Sequence, residues 1–215
     1  MTDATAGPTG THWPRTVTLA FTGASGAGYG LRLLECLVQS GIRVYVLASP
    51  AAQVVFRMEA GIELPARPAE AEHFFSTRCS AQPGQIRVFG RQEWGAPVAS
   101  GSNPADAMAI CPCTTGTLGR IAAGLSSSLI ERAADVMLKE RRKLILVVRE
   151  TPLSSIHLEN MLRLTQAGAL IMPASPGFYH QPTSLDDILD FMVARILDHL
   201  GLPNALTARW GAEPG

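Results

Sequence analysis

Short apolar runs alternate with segments of helical period from Thr16 to the end of the chain. Each run is rich in β-branched or other apolar residues and is short enough to be a strand buried on both faces. The alternation predicts an α/β protein, in which helices cover both sides of a parallel sheet. The predicted strands are 16–21, 43–48, 107–111, 144–148 and 170–172, with 86–89 as a sixth candidate.

Apolar residues recur at helical spacing between the predicted strands. One stripe begins at Leu31, a second begins at Ile130, and a third runs from Leu185 to Leu200 behind a potential capping residue, Ser184. We interpret these stripes as the sides of helices that pack on the sheet.

Two stretches depart from this alternation. Residues 65–102 are polar and broken by Pro and Gly for longer than a compact domain usually tolerates, and we interpret them as a lid or an assembly surface. Residues 1–14 have no basic start and no apolar run, which predicts a flexible tail rather than a signal peptide or a membrane anchor. We expect residues 15–215 to form a single domain, whose segment after Gly201 packs on a neighbouring subunit.

Composition narrows the classes of function. The 215 residues are 47% hydrophobic and 17% charged, and the formal net charge is zero with a pI near 7.0. Nothing global therefore attracts the chain to nucleic acid or to an anionic membrane, and any anion must be held by a local site. The cysteines at 36, 79, 111 and 113 lack paired metal spacing and indicate a reducing, cytoplasmic compartment.

The residues that follow each strand carry the candidate chemistry, because ligands bind beyond the carboxyl ends of the strands in an open parallel sheet. The first strand runs into a glycine-rich loop, residues 22–30, and then into a helix. Glycine lets backbone amides approach a phosphate at a helix N-terminus, which indicates an anionic cofactor, although a tight turn would use the same residues.

This loop lacks the G-x-G-x-x-G spacing of a dinucleotide site, and Ser49 stands where a ribose-binding acid would follow the second strand. Both departures disfavour a nicotinamide-dependent reductase and favour a mononucleotide. Because Pro50 follows Ser49, a plain helix cap and a ligand contact are both open for this serine.

The segment after the strand 107–111 offers hydroxyls and amides to a phosphate or to a flavin edge. Cys111 and Cys113 make a poor zinc site without a matching His or Cys cluster, so no metal is predicted. The scattered histidines form no evident triad with a serine or cysteine, which argues against a hydrolase.

Charged residues gather near two other strand ends. The strand 144–148 runs into Arg149 and Glu150, a pair that is costly at a sheet edge unless a ligand or a partner uses it. Tyr179 follows the last predicted strand in a loop rich in Pro and Gly, where its hydroxyl could bond a phosphate or lie at the surface. The charge-dense run 131–143 is also compatible with a solvated helix face.

Five motifs in this order and spacing resemble the flavin prenyltransferase family. They are TGASG at 22–26, ERAADV at 131–136, LKERR at 138–142, RETPL at 149–153 and PGFYH at 176–180. The glycine loop alone is weak evidence, whereas the five motifs together are specific. The resemblance covers about residues 16–210.

The resemblance implies a three-layer αβα, flavodoxin-like or Rossmann-like fold that binds FMN. It further implies a metal-independent prenyltransferase that moves a dimethylallyl group from dimethylallyl monophosphate to N5 and C6 of reduced FMN. The prenylated FMN would serve a UbiD-type decarboxylase, commonly in ubiquinone synthesis. The enzyme would be a homo-oligomer, a dodecamer with its sites at subunit junctions.

Residue roles follow from the same resemblance, position by position. Glu59 and Glu150 would move protons, with Ser25 linking the cofactor to the acid. Trp94 would face the allylic cation that develops when phosphate departs. The FMN contacts would be Gly23, Ala24, Ser25, Ser49, Thr114, Thr115, Gly116, Thr117 and Arg149. The donor phosphate would meet Arg132, Lys139, Tyr179 and Arg195, the last of which could reach a neighbouring subunit's site.

Two alternatives of other kinds have less support in the sequence. A flavoprotein of the same fold that decarboxylates cysteine would depend on a histidine near the flavin and on an Asn-rich motif, and neither is evident. A non-catalytic carrier of prenylated FMN would have no need of Glu59, Glu150 and Lys139 together.

Overall fold

A computed structural model describes residues 16–208 and 211, and within them strands and helices alternate. The strands are β1 (Thr16–Phe21), β2 (Arg43–Ala48), β3 (Ile86–Phe89), β4 (Ala107–Cys113), β5 (Lys143–Val148) and β6 (Leu170–Ile171). The helices are α1 (Ala27–Gln39), α2 (Pro50–Ala60), α3 (Pro68–Arg78), α4 (Thr115–Ala122), α5 (Leu129–Lys139), α6 (Ser155–Gln166) and α7 (Leu185–Leu200). A short 3₁₀ helix, Pro97–Ala99, precedes β4.

All six strands pair in parallel, in the order β3-β2-β1-β4-β5-β6. The predicted α/β fold is therefore confirmed, including the sixth strand candidate. The chain moves outward on one side from β1 to β3 and on the other side from β4 to β6. The junction of β1 and β4 is thus the topological switch point, where open parallel sheets bind ligands.

Each face of the sheet has its own apolar core. Phe21 of β1 packs edge-on against Phe56 of α2, with ring centroids 5.1 Å apart, on the face that α1, α2, α3 and α7 cover. The opposite face packs against α4, α5 and α6. Every residue of β4 is buried, as expected for a central strand that is covered on both sides.

The segment 65–102 is not the long irregular insertion that the sequence suggested. It contains α3 and β3, and therefore continues the regular pattern of strand and crossover helix. The helical period was obscured because α3 lies beside an edge strand and buries only Ala71 and Phe75. Leu185, placed by the sequence on an apolar stripe, is 70% exposed in the first turn of α7.

Two sequence predictions concern the ends of the chain. The tail of residues 1–14 lies outside the described residues, as does Trp210 in the last segment. Leu202 packs into the core after α7, while the contact of this segment with a neighbouring subunit stays a prediction. Among the described residues, no helix has the length and hydrophobicity needed to cross a membrane.

Candidate active site

The hydroxyl of Thr22 joins the carboxyl ends of β1 and β4 at the switch point. It donates to the carbonyl of Pro112 at 2.7 Å and accepts the backbone N–H of Thr114 at 2.9 Å. Thr22 is 2% exposed, so both bonds replace water at a buried junction. The glycine loop is thereby fixed against the start of α4.

A cavity of about 330 Å³ opens at this junction. Its wall is built from the loop after β1, from Arg91 after β3, and from the N-terminal parts of α2, α4 and α5. Several predicted cofactor residues therefore meet in one place. The lining residues are Thr22, Gly23, Ser49, Pro50, Ala51, Arg91, Thr114, Thr117, Arg120, Ser127, Ser128, Ile130 and Glu131.

Two helices begin at this cavity with side-chain caps. The Ser49 hydroxyl accepts the N–H of Ala52 at 3.1 Å, and the Thr114 hydroxyl accepts the N–H of Thr117 at 3.1 Å. The capping role that the sequence left open for Ser49 is therefore confirmed. Helix N-termini carry partial positive charge, so α2 and α4 both favour an anion in the cavity.

Gly23 shapes the same wall by its missing side chain. A Cβ at this position would lie 2.4 Å from the Cβ of Ala51. Any larger residue would therefore push the loop after β1 away from α2. Gly23 allows the two segments that line the cavity to touch.

The N-terminus of α1 is occupied by a carboxylate of the same chain. Glu59 accepts the backbone N–H groups of Gly26 at 2.8 Å and of Ala27 at 2.9 Å, and Gly26 adopts a left-handed φ of 110°. In this structure the two amides at the start of α1 therefore bond Glu59, and a phosphate contact at this helix start stays a prediction. Sequence spacing could not reveal the contact between Glu59 and Gly26, because the two residues are 33 positions apart.

Glu59 also joins two other predicted residues. Burial acts to raise the pKa of Glu59, but hydrogen bonds from Ser25, Gly26 and Ala27, together with nearby Arg149, lower this pKa below its ordinary value. The carboxylate is therefore ionised at neutral pH and holds the loop after β1 in place.

A second acid lies at the same edge of the sheet. Glu150 accepts a hydrogen bond from the Thr115 hydroxyl at 3.4 Å and from the N–H of Thr151 at 3.1 Å. The N–H of Arg149 donates to the carbonyl of Cys113 at 3.2 Å, which ties the end of β5 to the end of β4. Both predicted acids and Arg149 thus belong to the carboxyl edge of the sheet, where the cavity opens.

The predicted donor-phosphate residues are not brought together within this chain. Arg132 and Lys139 lie on α5, about 10 Å apart along the helix axis. Arg195 lies on α7, which covers the opposite face of the sheet. Tyr179 lies in the loop before α7, where its ring meets Phe191 edge-on at a centroid distance of 5.6 Å.

Each of these side chains has a local contact. Arg132 donates to the carbonyl of Ala99 at 3.0 Å, Lys139 pairs with Glu140, and Arg195 donates to Asp198 at 3.0 Å. Trp94, the predicted aromatic face, is 46% exposed in the loop after β3 and does not line the cavity.

Sequence reasoning missed several residues that line the cavity: Arg91, Arg120, Ser127, Ser128 and Glu131. Ser128 and Glu131 carry a readable signal, because S-x-x-E spacing is typical of a capping box at a helix start. No local signal marks Arg91 or Arg120. Within the part of the chain that the structure describes, no three His, Cys, Asp or Glu side chains are grouped to hold a metal.

Comparison with known proteins places this chain in a family. A family model described as Flavoprotein matches residues 8–197. The chain is 58% identical over 200 residues to the flavin prenyltransferase UbiX of Pseudomonas aeruginosa, a match that covers 93% of this chain and 96% of that protein. The chain belongs to the flavin prenyltransferase family. The family resemblance carried by the five sequence motifs is thus confirmed.

Two solved structures are similar to this fold over nearly all of the chain. A complex of AnUbiX (PadA1) with FMN and dimethylallyl pyrophosphate has a TM-score of 0.82 at 39% identity, covering 94% of this chain and 100% of that chain. A dodecameric FMN-dependent UbiX-like decarboxylase from Escherichia coli O157:H7 has a TM-score of 0.80 at 36% identity, covering 92% and 100%. The flavodoxin-like architecture is confirmed by this agreement.

Proposed function

We propose that this enzyme transfers a dimethylallyl group from dimethylallyl monophosphate to N5 and C6 of reduced FMN. The observation that carries the proposal is the convergence of cofactor residues and two acids at the β1–β4 switch point. Ser25, Glu59 and Arg149 interact there, and Glu150 lies at the neighbouring strand end.

The residues of the cavity fit FMN. Hydroxyls and the positive N-termini of α2 and α4 suit the phosphate and the ribityl chain, with Ser49, Thr114 and Thr117 as contacts. Because Gly23 has no side chain, the loop after β1 can lie against Ala51 without a clash, and no side chain at this position takes up space that the ligand would need. We assign the remaining contacts by family position to Ala24, Ser25, Thr115, Gly116 and Arg149.

The two acids have different tasks in this proposal. When bound, reduced FMN supplies the nucleophilic atoms N5 and C6. Glu59 is held ionised by Ser25, Gly26 and Ala27, so it orients the loop and the Ser25 hydroxyl. Glu150 accepts few hydrogen bonds and is exposed at the edge, so its carboxylate is available to take the protons that bond formation releases.

The donor phosphate would be held without a metal. Arg132, Lys139, Tyr179 and Arg195 offer charge-assisted and hydroxyl hydrogen bonds that stabilise a leaving phosphate. Their separation on two faces of one protomer supports a site completed by neighbouring subunits in a dodecamer, the assembly of the similar Escherichia coli protein. Trp94, exposed in the single chain, would face the allylic group in that assembly.

The product and the compartment complete the proposal. Prenylated FMN would be passed to a UbiD-type decarboxylase. All four cysteines of the chain are free, which supports a reducing compartment such as the cytoplasm.

The test is mass spectrometry of the flavin after anaerobic incubation with reduced FMN and either dimethylallyl monophosphate or the pyrophosphate. The expected result is a flavin heavier by one C5 unit with the monophosphate. Bound but unmodified FMN with both donors would contradict the proposal and favour the carrier. Decarboxylation of a peptide with a C-terminal cysteine, added to a parallel sample, would favour the cysteine decarboxylase instead.

A further inference from the structure

Arg120 is a cation in the wall of the proposed flavin cavity with no role assigned by the sequence motifs. It lies on α4, the helix whose first turn carries Thr114 and Thr117. Its Nη1 atom is 3.8 Å from the position that a Cβ on Gly116 would occupy. The guanidinium therefore reaches back along the helix toward the N-terminus that faces the cavity, as helical side chains tend to do.

A buried carboxylate lies next to Arg120, and its negative charge has to be compensated before the cavity can bind a phosphate. Glu131 has a side chain only 6% exposed, and its Oε2 accepts the N–H of Ser127 at 2.7 Å and that of Ser128 at 2.9 Å. Its Oε1 faces the Nε of Arg120 at 3.7 Å. Because Glu131 lines the same cavity, it would repel a phosphate unless a cation compensates its charge.

The hydrogen-bonding capacity of Arg120 remains largely available. A separation of 3.7 Å is an ion pair but too long for a hydrogen bond. No hydrogen bond joins its guanidinium to another residue in the described ranges, 16–208 and 211. Arg91, the other cation of the wall, lies on an exposed loop rather than on a helix.

We propose that Arg120 binds the terminal phosphate of the flavin and makes the cavity select FMN over riboflavin. A planar guanidinium suits two oxygens of a phosphate monoester, and the N-termini of α2 and α4 add their positive ends to the same anion. The Glu131 carboxylate holds Arg120 near this position before the ligand arrives. This inference rests on the proposed use of FMN and adds the residue that recognises its phosphate.

The experiment measures the dissociation constants of FMN and of riboflavin by flavin fluorescence for the wild type, Arg120→Gln and Arg120→Lys. We expect Arg120→Gln to weaken FMN binding about 10- to 100-fold, the usual effect of losing a charge-assisted hydrogen bond. Riboflavin, which lacks the phosphate, should change by less than about twofold. The dissociation constant of Arg120→Lys for FMN should lie between those of the wild type and Arg120→Gln, because lysine keeps the charge but lacks the planar guanidinium.

The matched control is Arg163→Gln, an exposed arginine on α6 outside the cavity, which should leave both constants unchanged. Comparing the two flavins within one sample cancels any unfolded fraction. Equal weakening of FMN and riboflavin, or unchanged FMN binding, would overturn the role of Arg120. A wild type that selects FMN through Arg120 but forms no prenylated product would uphold this inference and overturn the proposed reaction.

Discussion

The two halves of the proposed active site are built differently. The flavin half is assembled from loops that follow β1, β2, β4 and β5, and its residues meet within one protomer. The donor half consists of Arg132, Lys139, Tyr179 and Arg195, which lie on both faces of the sheet. The carboxyl ends of parallel strands lie at one edge of the sheet, whereas residues on the covering helices are spread along both faces.

This difference predicts which protomer loses activity when a residue of either half is substituted. A flavin-half acid should affect chemistry within its own protomer. A donor-half cation should affect donor use in a neighbouring protomer.

Replacing Glu150 by Gln should have the largest effect. Removing a general base usually costs at least about 100-fold in rate, so prenylated product should fall by that factor while FMN remains bound. Mass spectrometry and flavin fluorescence measure the two quantities. Glu159→Gln, an exposed acid on α6, is the matched control. A normal product yield from Glu150→Gln would remove this residue from the mechanism.

Lys139→Ala and Arg195→Ala should each impair the donor half alone. We expect KM for dimethylallyl monophosphate to rise about 10- to 100-fold, the cost of one lost charge-assisted bond, with the Kd for FMN unchanged. Steady-state kinetics and flavin titration check this split. Sedimentation should show the wild-type assembly, and a parallel loss of FMN binding and assembly would contradict a role confined to the donor.

Thr22→Val should weaken the switch point itself. The buried N–H of Thr114 and carbonyl of Pro112 would lose their partner, which should cost about 1–3 kcal/mol in the free energy of unfolding. Chemical denaturation measures this quantity. Thr22→Ser keeps the hydroxyl and should retain most of the stability. Equal stability of the Val variant and the wild type would show that the bridge is dispensable.

The smallest expected effect is a pH dependence at Glu59. Its folded pKa lies below the ordinary value of 4.5, so its contribution is complete well above pH 4.5 and is lost as the pH falls through the folded pKa. The Tm difference between wild type and Glu59→Gln should therefore shrink below about pH 4.5. Glu63→Gln, in the exposed loop after α2, should show no such convergence. A constant difference down to pH 3 would contradict the assigned network.

Much of the fold was readable because it depends on local pattern. The bounds of β1, β2 and β3 match their apolar runs, and Ser184 caps α7 as its position suggested. The helix α3 was not predicted because an edge position requires little apolar surface, and charged residues hid its period.

From the residues alone, the site could be predicted only where a functional residue comes directly after a strand. Ser49 and Thr114 came from that rule, and both line the cavity. The contact of Glu59 with the start of α1 and the ion pair of Arg120 with Glu131 each join segments that are distant in the sequence. No spacing in the sequence therefore reveals them. The roles of Arg132, Lys139 and Arg195 came from family resemblance alone, whereas a phosphate contact for Tyr179 was also suggested by its position after the last predicted strand.

The most direct test of a site divided between protomers is subunit complementation. Glu150→Gln damages the flavin half and Lys139→Ala damages the donor half, so each variant alone should form little product when the donor concentration is kept near the wild-type KM. Co-expressed mixed assemblies should regain activity, because some sites would combine an intact Glu150 from one protomer with an intact Lys139 from another. Mixed assemblies of normal size that stay as inactive as the parents would contradict the account, since both residues would then act within one protomer.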